Sequence, residues 1–245
     1  MSDAELARAV AREAGDLLLD LRLRGGLTGA ALGDRGDRLA DDLILARLRE
    51  ARPADHILSE ETRDDLSRCA ARRVWVIDPL DGTRDYADGL DDWAVHVGLS
   101  IDGFPAAGAV ALPMRGTVFA TDDAPASMPP LPAQPRMVVS RTRCAELVLG
   151  VAEATGAALV GMGSAGAKAM AVVDGRAEIY LHTGGQYQWD NCAPAAVALA
   201  AGLHASRVDG TPLSYNGADP LVPDLLICRT ELADRVLAAV ARQVN

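Results

Sequence analysis

Asp78 and Asp81 flank Pro79 and Leu80, directly after the apolar run Val74-Trp-Val-Ile77 and directly before Gly82 and Thr83. A carboxylate that follows four strongly apolar residues is costly to desolvate unless it is paired or bound to a cation. Hard cations take clustered carboxylate oxygens, and α/β proteins carry reactive groups at strand ends. Proline interrupts ladder and helix alike, so a bend is expected to make the two carboxylates converge. Two divalent cations held in this way suit hydrolysis of a phosphoester, because they activate a water and clamp the attacking and leaving oxygens.

Other acids sit at turns beside apolar runs: Glu60 and Glu61 after Ile57-Leu-Ser59, Asp190 after Trp189, and Asp37 before a helical stretch. Singly, each has an ordinary explanation. Asp37 reads as a cap at the start of the second helix, and Glu60-Glu61 as exposed turn carboxylates.

The elements that must position these residues are legible as patterns. Residues 3–24 form a helix with Leu6, Val10, Leu17, Leu18 and Leu21 on one face and Ser2 or Asp3 as cap, and Gly25 ends it. A second helix is expected from about Gly36 to Ala51. Strands follow at His56–Ser59, Val74–Ile77, Trp93–Ile101, Ala106–Leu112 and Val118–Thr121. Residues 122–135, with five prolines, read as a connector. It divides residues 1–134, an N-terminal α+β part with the acidic motifs, from 135–245, an α/β part. In the second part, strands (137–140, 158–161, 177–181, 225–229) alternate with helices (143–155, 164–174, 191–201, 231–242).

Composition sets the outer limits. The chain of 245 residues is 49% hydrophobic but only 4% aromatic, so Ala, Val and Leu supply the core. No apolar run is long enough to span a bilayer, and the N-terminus lacks a secretory pattern, so a cytoplasmic protein is expected. The four cysteines are far apart, which favours free, mostly buried thiols. A net charge of −10 disfavours a nucleic-acid polymer as ligand, while cations in the pocket would still admit a small phosphate ester.

Asp78-Pro-Leu-Asp-Gly-Thr-Arg-Asp-Tyr86 resembles the first signature of the inositol monophosphatase superfamily, and Trp189-Asp-Asn-Cys-Ala-Pro194 resembles its second. Leu58-Ser-Glu-Glu61 and Gly163-Ser-Ala-Gly-Ala-Lys168 fall in the family's order, and the match extends over nearly the whole chain. The resemblance implies a layered αβαβα sandwich and a lithium-sensitive phosphatase using two or three Mg²⁺, with a homodimer among its assemblies. It implies that Asp78 bridges two ions, that Glu60 and the carbonyl of Leu80 complete one, and that Asp81 and Asp190 hold the other. Thr83, hydrogen-bonded to Asp37, would deprotonate the attacking water, and Glu61 would help to position it. The amides of Gly82 and Thr83 would face the phosphate. The haloacid dehalogenase pattern, Asp-x-Asp-x-Thr, does not fit, because the aspartates here are three residues apart.

Within the superfamily, Arg84-Asp-Tyr86, Val138-Val-Ser140-Arg141 and Asp209-Gly-Thr-Pro-Leu-Ser-Tyr-Asn216 resemble the CysQ-type bisphosphate nucleotidases. These act on 3′-phosphoadenosine 5′-phosphate (PAP). Inositol-1-phosphate and fructose-1,6-bisphosphate are the alternatives within the fold, and a non-catalytic ester-binding regulator is the alternative outside enzymology. A bisphosphate needs a second anion site, for which Arg141 and then Arg143 or Lys168 are the candidates, with Arg84, Ser140, Gly163 and Ser164 as further substrate-binding residues. A solvated loop accounts for Arg141 and Arg143 equally well. Some positions depart from the family pattern: no lysine lies between Gly25 and Asp37, and Pro194 and Leu203 replace glycines. Trp75, Trp93 and His96 read as packing groups, His182 as a strand-end surface histidine, and Asp88, Asp91 and Asp92 as a solvated loop.

If Asp78 bridges two cations, Asp78→Asn should abolish phosphate release and weaken Mg²⁺ binding. Wild-type turnover in that variant would refute the assignment.

Overall fold

The computed structural model describes residues 1–124, 128–142 and 144–244. Two five-stranded mixed sheets alternate with three helical layers in an α+β sandwich of the αβαβα type. The first sheet has the order β1-β2-β3-β4-β5, from β1 (His56–Ser59), β2 (Arg73–Asp81), β3 (Ala94–Ile101), β4 (Phe104–Leu112) and β5 (Thr117–Ala120). Only its β1–β2 pair is parallel. The second has the order β7-β6-β8-β10-β9, from β6 (Arg136–Ser140), β7 (Ala158–Met162), β8 (Ile179–Tyr187), β9 (His204–Ser206) and β10 (Leu221–Cys228).

Strict alternation sorts the apolar residues into three layers. On β2, Trp75 and Ile77 face helices α1 (Asp3–Arg24) and α2 (Gly29–Ala51), while Val74 and Val76 face the middle layer. That middle layer is α5 (Ala165–Val173) and α6 (Gln188–Ala200), sandwiched between the sheets. On β10, Leu225 and Ile227 point into it, whereas Leu226 and Cys228 face α4 (Glu146–Thr155) and α7 (Ala233–Val244). Strands buried on both faces read as continuous apolar runs, which is why they were visible in the sequence.

The first helix and its Ser2 capping box are as expected, but the boundaries that matter for the site are not. The second helix begins at Gly29 rather than Gly36, so Asp37 lies inside it and is not its cap. Gly33 and Gly36 concealed this, since glycine reads as a helix breaker. Here a Cβ at Gly33 would lie 2.9 Å from Thr83 Cγ2, and one at Gly36 3.1 Å from Leu80 Cδ2. The glycines let the segment after β2 dock on α2. Strand β2 does not stop at Ile77 but continues through Pro79 to Asp81. Other differences are smaller. Strand β8 runs on to Tyr187, which places His182 inside it, and α6 starts three residues early. Strand β9 was missed, and β10 starts four residues before its expected position. All four cysteines are free, yet Cys69 and Cys144 are exposed rather than buried.

Helix α6 lies very close to the first sheet. A Cβ on Gly98 of β3 would sit 2.8 Å from the backbone nitrogen of Ala193, and one on Gly108 of β4 3.3 Å from its Cα. Gly98→Ala should therefore push α6 outward and cost about 1–3 kcal/mol of stability, as overpacking does. Urea unfolding checks it; an unchanged midpoint would mean that the contact relaxes without cost.

Candidate metal centre and catalytic cleft

In a regular strand, residues three apart point to opposite faces. Asp78 pairs with His96 of β3 and Asp81 with Ala94, so three steps along β2 match two along β3. The extra residue is a β-bulge at Pro79-Leu80, and it reverses the alternation so that both carboxylates reach the same side. Asp190, in the first turn of α6, completes the group. Ligand oxygens of Asp78, Asp81 and Asp190 lie within 4.8 Å of one another. Glu60 follows β1 immediately, with its amide on the Ile77 carbonyl at 3.2 Å.

Burial and mutual repulsion disturb these acids strongly. Asp78 is pushed far above the usual carboxylate range by burial and then by the Glu60 charge. Burial and the charge of Asp190 raise Glu60 to about 7, and burial and Asp81 raise Asp190 to about 6. Asp81 goes the other way. Burial works against its charge, but His96, Lys168 and Ser164 outweigh that and hold it below its ordinary value.

Gly82, at φ +90°, turns the chain into the one-turn helix α3 (Thr83–Ala87). Thr83 Oγ1 lies 3.0 Å from the carbonyl of Leu80 and 3.4 Å from Asp37 Oδ1. Asp37 is raised to about 7 by burial and then by Glu61 and Glu60. Asp41, one helical turn further along α2, accepts from Ser59 Oγ at 2.5 Å and Thr62 Oγ1 at 2.9 Å. It thereby pins both ends of the Glu60-Glu61 segment.

The second half contributes the loop before α5. Ser164, strained at φ +49°, gives its hydroxyl to Asp81 Oδ2, and the Gly166 amide reaches the same oxygen at 2.7 Å. Lys168 is buried with Nζ on the carbonyls of Gly163 and Ser164 and 5.4 Å from the Tyr180 ring centre. Arg141 pairs with Asp85 and Asp92, and Asp92 also takes the Gly163 amide, so the loop with Asp92 is not merely solvated. A cleft of about 810 Å³ runs from Asp81 and Asp190 past Ser164 and Lys168 to Ser140 and Tyr180. Arg84 is exposed on α3, and Arg143 lies outside the described residues.

Sequence reasoning missed three supports. His96, read as packing, is fully buried with Nδ1 3.0 Å from the Trp189 carbonyl and Nε2 3.2 Å from Asp81 Oδ2. Burial disfavours its charge, but Asp81 raises its pKa above the usual value. Asp41 is one acid among several on α2, with no motif around it. Asn216 ties the segment beyond Glu60 to the start of α6: its side chain bonds the carbonyls of Arg68 and Ala71, and its amide bonds Gln188 Oε1 at 2.7 Å. Of the three, only Asn216 had a sequence signal, through the Tyr215-Asn216 motif.

An all-oxygen donor set, crowded and short of countercharge, fits a hard divalent cation. Such a centre at the strand end of an αβαβα sandwich defines the class of metal-dependent phosphatases. The chain belongs to the inositol monophosphatase family, whose model matches residues 5–245. It is 50% identical over 239 residues to the 3′-phosphoadenosine 5′-phosphate phosphatase of Mycobacterium bovis, covering 94% of this chain and 90% of the relative. The protein of the same name from Mycobacterium leprae is 48% identical, covering 100% and 95%. The Escherichia coli 3′(2′),5′-bisphosphate nucleotidase CysQ is 30% identical, covering 73% and 77%. Crystal structures of CysQ from Bacteroides thetaiotaomicron and inositol monophosphatase II from Staphylococcus aureus share the fold, each with a TM-score of 0.79 and 22% identity. The first covers 93% of this chain and 97% of its own, the second 95% and 94%.

The raised pKa values of Glu60, Asp37 and Asp190 mean that the metal-free folded state binds more protons than the unfolded state between about pH 4 and 7. Stability of chelator-treated protein should therefore fall as pH rises through that window, and Mg²⁺ should flatten the dependence. Thermal unfolding against pH, with and without Mg²⁺, checks this; identical profiles would contradict it.

Proposed function

We propose that the chain is a Mg²⁺-dependent phosphomonoesterase that hydrolyses PAP to AMP and phosphate by direct attack of water, with no phosphoenzyme. The observation that carries the substrate is the 50% identity, over 94% of the chain, to a relative named for that reaction. Glu60, Asp78, the Leu80 carbonyl, Asp81 and Asp190 would hold the ions, which supply positive charge to the phosphoryl group and acidify water. The water's proton would pass to Thr83 Oγ1 as the threonine's own proton moves to Asp37. A base near pKa 7 is suited to that task. Glu61 would orient the same water, and the amides of Gly82 and Thr83 would donate to the phosphate.

In this reading, the cleft between residues 1–134 and 135–245, taken as two subdomains, receives the rest of the nucleotide. Lys168, Ser164, Gly163, Ser140, Arg141 and Arg84 line or flank its path. The Arg141 guanidinium already serves Asp85 and Asp92, so any phosphate it met would compete with those carboxylates. The cytoplasm as compartment, two or three Mg²⁺ per site, and a homodimer as an allowed assembly belong to the same proposal. Among the described residues, no helix is long and apolar enough to cross a membrane.

Phosphate release from PAP should exceed release from inositol-1-phosphate and from fructose-1,6-bisphosphate by at least about tenfold in kcat/KM, and only with Mg²⁺. The opposite order would transfer the assignment to the favoured ester.

A further inference from the structure

Ser140 and Thr142 line the cleft, while the guanidinium of Arg141 between them turns to Asp85 of α3 and Asp92 of the loop before β3. With both acids ionised, one guanidinium between two carboxylates carries a net negative charge, which repels a phosphate. We propose that Arg141 is a positioning residue and not an anion ligand. It clamps α3 to the second half of the molecule and so fixes where Thr83, the first residue of α3, stands in the cleft. This rests on the reading that the chain is a phosphatase in which Thr83 serves the attacking water.

The contacts around Arg141 form a junction. Helix α3 is too short to hold its own position, and the first half fixes it through Tyr86, whose hydroxyl donates to the Leu18 carbonyl at 2.8 Å. On the other side of the cleft, Arg141 Nη1 lies 3.3 Å from both oxygens of Asp85. Its second terminal nitrogen, Nη2, donates to Asp92, which also accepts the Gly163 amide at 3.1 Å. The loop carrying Gly163 reaches α3 only because that residue has no side chain: a Cβ there would stand 1.5 Å from Asp85 Oδ2. The end of β6, the loop before α5, α3 and the loop before β3 thus meet at one guanidinium, two segments from each half. Arginine suits this place because its planar fork serves two carboxylates at once, whereas a lysine ammonium is a single point charge.

Steady-state kinetics on PAP separate the two roles by which parameter moves. A clamp predicts that Arg141→Ala and Asp85→Asn each lower kcat about tenfold while KM stays within about threefold of wild type. The double variant should be no slower than the slower single one, because both substitutions remove the same contact. Arg141→Lys should fall with Arg141→Ala, since an ammonium cannot span both acids. An anion ligand predicts the opposite: Arg141→Ala raises KM for PAP with kcat unchanged, and Asp85→Asn, which frees the guanidinium, lowers KM. Either of those results overturns the proposal, as do wild-type kinetics in both variants. If Arg141→Ala does not fold, Arg141→Lys and Asp85→Asn decide by the same criteria. Urea unfolding tests the clamp without turnover: the double variant should unfold at the midpoint of the less stable single one, and additive shifts overturn the proposal. Wild-type protein that releases phosphate from no ester refutes the phosphatase reading, and the unfolding cycle then decides the clamp by itself.

Discussion

Like charges crowded around two buried aspartates, Asp78 and Asp81, are the constraint around which this molecule is organised. Asp78, Asp81, Asp190 and Glu60 would repel one another strongly if all were ionised, because low-dielectric surroundings screen them poorly. The protein supplies part of the countercharge itself. His96 and the buried Lys168 face Asp81, so one carboxylate stays ionised while its neighbours are driven toward protonation. The charge still lacking is what a hard cation brings, and this makes binding of the ion and ionisation of the ligands a single event.

Bringing the acids together required backbone devices more than side-chain packing. One extra residue in β2 reverses the alternation of the strand at Pro79-Leu80 and turns two aspartates to one side. Gly33 and Gly36 let α3 and the bulge settle on α2, Gly98 and Gly108 let α6 approach β3 and β4, and Gly166 admits His96. At each of these places a methyl group would separate two segments that carry site residues. The surrounding apolar layers supply stability, while these close approaches set the distances within the centre.

A second set of contacts holds the acid-bearing segments from behind. Asp41 pins the Glu60-Glu61 segment to α2, and Asn216 links Arg68 to Gln188 beside Asp190. Arg141 bridges α3 and the loop before β3 from the end of β6, drawing the two sheets together at the cleft. The ordered centre therefore depends on residues far from one another in sequence and remote from the phosphate.

The sequence by itself determined the layered class, the first helix with its cap, the paired aspartates of residues 78–86 and the later Trp189-Asp190. These were legible because burial on both strand faces and the order of acidic motifs are local properties of the chain. Tertiary structure alone decided that Asp37 meets Thr83 from inside a helix rather than from its cap, that a bulge turns Asp78 and Asp81 to one side, and that His96 sits beside the clustered carboxylates. The physical reason is the same in each case. A glycine that breaks an isolated helix is favourable where another segment must touch it, and a histidine in an apolar strand acquires its role only from the carboxylate that a neighbouring strand sets beside it.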